Sequence, residues 1–199
     1  KVVLNDNGGT NSVADFPLFI SGDSLVEGTM SVSDDVPVQV PIGTYTVSET
    51  NSEGYAATFS GGCNANGSVT LAPGENKVCN VLNNDLPAHI TLIKQVVGGT
   101  ATPSQFKLRI DGNLVSSGIS RVVSSNAPHT ISEDAFVGYH FVSITGNPKC
   151  PAALGGIVTL NEGESITCTI TNVVDGASPP PVDQGHVIYG IPADFHFIR

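Results

Sequence analysis

Four cysteines are the residues whose spacing most directly suggests chemistry. They fall in two local pairs, Cys63 with Cys79 and Cys150 with Cys168. Neither pair is a Cys-x-x-Cys, and no histidine clusters beside them, so zinc is a poor reading. Two loop-closing disulfides are a better one than four buried thiols, and they imply an oxidising, extracytoplasmic compartment. In a chain-entropy treatment each closed loop of this size contributes about 3 kcal/mol.

Other chemistry is sparse. Asn66-Gly67-Ser68 is a glycosylation sequon inside the Cys63–Cys79 segment. The acidic turn Asn5 to Asn7 offers calcium-type oxygens, although a lone turn of this kind is more often a solvated loop. The five histidines are scattered, and no acid, base and nucleophile converge in the pattern. No glycine-rich loop precedes a helix, so nucleotide binding has no support. The expectation is a non-enzyme with no cofactor and no metal. A net charge of −10 argues against a nucleic-acid partner. No run is long enough to insert in a membrane, and no signal peptide is visible, which suggests a processed form or a part excised from a longer chain.

The elements that must carry these residues are short strands. The chain has 22 Gly, 13 Pro and no Trp in 199 residues, and apolar residues alternate. Leu18 and Ile20 share a face with Phe16, Leu108 and Ile110 share one with Phe106, and Tyr45 and Val47 alternate with threonine and serine. Turn residues punctuate the strands at Ser21-Gly22-Asp23, Pro73-Gly74, Asp111-Gly112-Asn113 and Glu162-Gly163. The pattern repeats: "GGTNSVADFPLFISGD" returns as "GGTATPSQFKLRIDGN", "TYTVSET" as "PHTISED", and "SVTLAPGENKVC" as "GIVTLNEGESITC". Two copies of about 85 residues follow, each with a disulfide in the same place. The expected fold class is all-β: two tandem antiparallel sandwiches of about seven strands, residues 1–85 and 86–174.

"IGTYTVSETNSEGY" resembles the Gly-x-Tyr-x-Leu-x-Glu…Gly-Tyr signature of Cna B-type, prealbumin-like (SpaA-like) domains from the stalks and pilins of bacterial surface proteins. The second copy keeps Glu133, Gly138 and Tyr139. The resemblance spans residues 1 to about 174 and implies a structural or adhesive role. It also implies an intramolecular isopeptide bond, in which a first-strand lysine attacks a last-strand asparagine beside a buried glutamate. The matching residues are Lys94, Asn172 and Glu133 in the second copy, and Lys1, Asn83 and Glu49 in the first. In the first copy two alignments compete for the lysine position. Spacing to "NDN" selects Lys1; direct alignment with "ITLIKQVV" selects Arg199 and moves Lys1 onto Gln95.

After Val174 the composition changes. "DGASPPPVDQG", residues 175–185, reads as a stiff proline linker. Residues 186–199 turn apolar again, and "GIPADFHFIR" resembles "DLPAHITLIK", which opens the second sandwich. The first sandwich lacks that half-strand ahead of Lys1. The expectation is that Phe195, His196, Phe197 and Ile198 complete the first sandwich of a neighbouring subunit or repeat, by strand donation or by covalent continuation. Alternation offers two registers, Phe195 and Phe197 inward or His196 and Ile198 inward; aromatic burial favours the first, which sends Arg199 to the same face, where it would have to escape at the sandwich edge or pair with Glu49. The chain then reads as a structural subunit of an extracellular filament or surface stalk whose partner is itself, head to tail. The alternative is a monomeric cell-surface adhesin or ligand-binding module.

Overall fold

In the computed structural model the described residues are 1–50 and 53–176. They form two β-sandwiches. The donor residues Phe195, His196, Phe197 and Ile198, with Arg199 and the linker beyond residue 176, lie outside the described residues.

The first sandwich is built from β1 (Val2–Leu4), β2 (Leu18–Ser21), β3 (Thr29–Val32), β4 (Gly43–Glu49), β5 (Tyr55–Gly61), β6 (Ser68–Leu71) and β7 (Cys79–Asp85). One sheet has the order β1-β7-β5 and the other β3-β2-β4-β6. The second sandwich comprises β8 (Ala88–Val97), β9 (Leu108–Ile110), β10 (Asn113–Val115), β11 (Ser120–Val123), β12 (Pro128–Glu133), β13 (Tyr139–Gly146), β14 (Gly156–Thr159) and β15 (Ser165–Val174). Its sheets run β11-β8-β15-β13 and β10-β9-β12-β14. In both copies the first and last strands pair in parallel.

Seven strands per copy is right for the first sandwich, but the second has eight. The extra strand, β11, pairs with the N-terminal half of β8, Val123 against Ala88 through Ser120 against Thr91. Counting back from Tyr45 and His129, which hold equivalent places on β4 and β12, the first-copy counterpart of β11 is the segment Val36 to Gln39. It forms no strand. Phe16 and Phe106 also differ from expectation: each sits just after a short 3-10 turn, Val13–Asp15 or Pro103–Gln105, two positions before its strand begins.

The two cores are unequal. The second is closed around Ala88, Ile90 and Leu92 of β8, all fully buried among Leu108, Ile110, Ile131, Leu160 and Ile170. In the first, the equivalent Leu18, Ile20, Val47 and Leu71 are only half-buried. Disulfides Cys63–Cys79 and Cys150–Cys168 pin each last strand, at the first residue of β7 and within the N-terminal half of β15, with Cα–Cα separations of 5.1 and 5.7 Å.

The copies meet through the Asn5 to Gly9 loop, which is an interdomain contact rather than a solvated acidic turn. Asp85, 1% exposed at the end of β7, accepts hydrogen bonds from the backbone N–H groups of Asn7 (2.9 Å) and Gly9 (2.7 Å). Across the joint, the Ser125 backbone N–H and hydroxyl both donate to the Asn7 carbonyl, and the Asn126 amide donates to the Gly8 carbonyl.

Candidate cross-linking sites and an open strand groove

The parallel pairing of first and last strands brings lysine and asparagine together inside each sandwich. In the second, Lys94 on β8 lies 2.5 Å from Asn172 Oδ1 on β15. Glu133, at the end of β12 in the opposite sheet, reaches both partners. Its Oε1 accepts from Asn172 Nδ2 at 2.6 Å, and its Oε2 lies 2.6 Å from Lys94 Nζ. That second contact is a buried ion pair, and it places Oε2 where it can take a proton from the lysine nitrogen. The lysine and glutamate side chains are 0% and 2% exposed. The Phe106 ring closes the pocket, with Nζ 4.5 Å from its centroid, and is itself held edge-to-face on Tyr139. Burial pushes the Lys94 ammonium below the ordinary lysine range, against the opposing pull of the Glu133 carboxylate.

The first sandwich repeats the arrangement. Lys1 Nζ contacts both Glu49 Oε2 and Asn83 Oδ1, and Asn83 Nδ2 donates to Glu49 Oε1 at 2.5 Å. Phe16 takes the place of Phe106, 4.6 Å from Nζ, and stands edge-to-face on Tyr55. The strand register decides between the two competing alignments. Val2 pairs with Leu82, as Gln95 pairs with Thr171, so Lys1 holds the place of Lys94 and Arg199 does not. The two aromatic lids carried no chemical signal in the sequence, because Phe16 and Phe106 also fit the alternating strand pattern. Asn66 lies on an exposed loop of the first sandwich, its backbone N–H donating to the Asn64 side chain.

The two lysines differ in what precedes them. Lys94 follows six strand residues, Ala88 to Ile93. On the β1 side of β7, Cys79 to Val81 has no strand partner among the described residues. The equivalent Cys168 to Ile170 pairs with Leu92 to Lys94. A groove of about 570 Å³ runs along that edge, floored by Leu18, Ile20, Val47, Val69, Leu71 and Val81, with Lys1 at one end and Val36, Pro37, Val38 and Val40 along its far wall. The floor residues are the counterparts of those that pack on Ala88, Ile90 and Leu92 in the second copy. Alternation placed these residues in a core, and the half-strand missing ahead of Lys1 is the sequence feature that marks this core as incomplete.

Two tandem sandwiches, each with first and last strands side by side and a lysine–asparagine–glutamate cluster between the sheets, define a prealbumin-like structural module. Residues 1–81 and 85–170 both match the prealbumin-like fold domain SpaA_2, and the chain belongs to that family. No curated protein sequence matches it. Solved structures similar to it include the Streptococcus pyogenes major pilin protein T-13, 16% identical over 80% of this chain and 89% of that one with a TM-score of 0.33. Two others from the same organism are the T3.2 major pilin (15%; 80% and 90%; 0.35) and a further major pilin (14%; 87% and 95%; 0.33). Likenesses this distant carry no argument about function.

Proposed function

We propose that the chain is a structural subunit of an extracellular filament or stalk, assembled head to tail when a strand from the residue 186–199 tail enters the groove of another copy. The observation that carries this reading is the match between the groove and β8: the first sandwich offers the floor, the free β7 edge and the side wall that in the second sandwich hold Ala88 to Ile93. An open sheet edge and a half-covered core are costly in water. Burying each aliphatic side chain there would contribute about 2 kcal/mol, and β7 would gain backbone hydrogen bonds. The tail carries "IPADFHFI", which resembles the "LPAHITLI" that opens the second sandwich, and a proline spacer separates it from that sandwich. The occupant is the tail of a separate subunit or, where copies are joined covalently, the residues running into Lys1. Two disulfides fit the outside of a cell. A monomeric adhesin has no use for a groove of this shape paired with such a tail. Deleting residues 186–199 tests the reading: soluble subunits that form no filaments are expected, and filaments that survive the deletion overturn it.

The clusters support a second chemical element of the same role, an internal isopeptide in each sandwich. Neutral Lys94 attacks the Asn172 side-chain carbonyl carbon. Glu133 Oε2 takes a proton from the nitrogen, and the carboxyl passes a proton to the departing amide nitrogen. One C–N bond forms, one breaks, and ammonia leaves. Lys1, Asn83 and Glu49 would do the same. Each bond lowers the intact mass by about 17 Da; an unshifted mass removes the bond.

A further inference from the structure

The groove also specifies which face of the incoming strand points inward, an inference that rests on the strand-addition reading. We propose that the tail docks with Asp194, His196 and Ile198 inward and Phe195, Phe197 and Arg199 outward, with Arg199 in the strand position next to Lys1. This reverses the register that aromatic burial alone favours. Three observations carry it.

The first is parity. Along β8 the buried residues are Ala88, Ile90, Leu92 and Lys94, while His89, Thr91 and Ile93 are half-exposed. Lys1 already fills the inward place of Lys94, so the residue just before it in the strand faces out. An inward Arg199 would have to lie one place further along, at the place of Leu92, over the aliphatic floor. Its only buried carboxylate there, Glu49, is already held by Lys1 and Asn83.

The second is the inner lining. Near Lys1 the groove is aliphatic, which suits Ile198 at the place of Leu92. Further along, the lining turns polar where the second sandwich is apolar. Ile166, which pairs with Ile90, is 3% exposed; its counterpart is Lys77, 3.2 Å from Glu75. Glu75 and Asn76 line the groove beside Lys77. His196 and Asp194 would meet these polar groups, where phenylalanines would bury them.

The third is the outer row. Across the second sandwich Ser120, Thr91 and Thr167 lie side by side on the outer face. The counterparts of Ser120 and Thr167 are Val36 and Val78, exposed by 57% and 73%. An outward Phe197 would sit between these two half-open valines at the rim of the groove, a cross-strand apolar row. The polar lining and the apolar rim thus both differ from the second sandwich in the sense in which the tail differs from β8.

Cysteine trapping in the full-length chain reads the register. Val36→Cys combined with Phe197→Cys places two sulfurs on opposite strands of one face, about 5 Å apart at Cβ. Val36→Cys combined with His196→Cys places them on opposite faces. A ladder of disulfide-linked chains on a non-reducing gel is expected with the first pair and its loss with the second. A ladder with the second pair alone overturns this register while leaving strand addition intact. No ladder with either pair, in filaments that still require residues 186–199, places the tail outside the groove and overturns the inference. Filaments that do not require those residues fail at the earlier step.

Discussion

Replacing Glu133 with Gln isolates the contribution of the cross-link in the second sandwich. The substitution keeps the size and the hydrogen bond to Asn172 but cannot cycle a proton, so Lys94 and Asn172 should stay unlinked. Lys94 and Asn172 are 78 residues apart, and the Cys150–Cys168 disulfide already shortcuts 18 of those. The effective loop closed by the new bond is therefore about 60 residues, for which loop-closure entropy gives about 4 kcal/mol. For a domain of this size that corresponds to a fall in Tm of roughly 15–30 °C. The assay is thermal unfolding of the full chain with disulfides intact, paired with intact mass. E133Q should lack the loss of ammonia in the second sandwich and melt well below the unsubstituted protein. After refolding, the cross-link should form faster as pH rises and Lys94 loses its proton, reaching its plateau below the usual lysine range because burial lowers that pKa. An unsubstituted protein with no mass loss, or two melting curves that coincide, would refute the reasoning.

Two further outcomes follow from the joint and the staples. Burial alone would raise the Asp85 pKa, but the N–H groups of Gly9 and Asn7 outweigh it and hold the carboxyl below its usual range. Its stabilising contribution is therefore complete above the unfolded carboxylate pKa and lost as pH falls through the lower folded value; Asp85→Asn should cost roughly 1–3 kcal/mol near neutral pH in urea unfolding and flatten that acid dependence. Replacing Cys63 and Cys79 together with serine opens a loop whose ends are 16 residues apart and should cost about 3 kcal/mol, read as a lower urea midpoint for the first sandwich, while the second sandwich keeps its midpoint.

Much of the fold was legible because alternation, turn residues and the internal repeat all pointed the same way. Val47 and Ile131, or Cys79 and Cys168, could be matched by eye, and the two sandwiches follow from such matches. The clusters were legible only as residue types carried over from a resemblance. What brings Lys94, Glu133 and Asn172 within reach of one another is the parallel pairing of β8 with β15 and the depth of β12, and neither leaves a local signal. Asp85 read as the end of a strand, yet it organises the interdomain loop because its neighbours in space are 76 and 78 residues away. The groove was legible only through the repeat. Leu18 and Ile20 have the same pattern whether a strand covers them or not, and it is the alignment of the two copies that shows the half-strand missing ahead of Lys1.

The central claim is that the groove of one copy is filled by a strand from another. A cryo-electron-microscopy map of the assembled material tests it most directly. A strand is expected parallel to β7 along Cys79 to Val81, between β7 and the Val36 to Val40 segment, and continuous with the line of β1. Filaments whose subunits touch elsewhere while that groove stays open would contradict it.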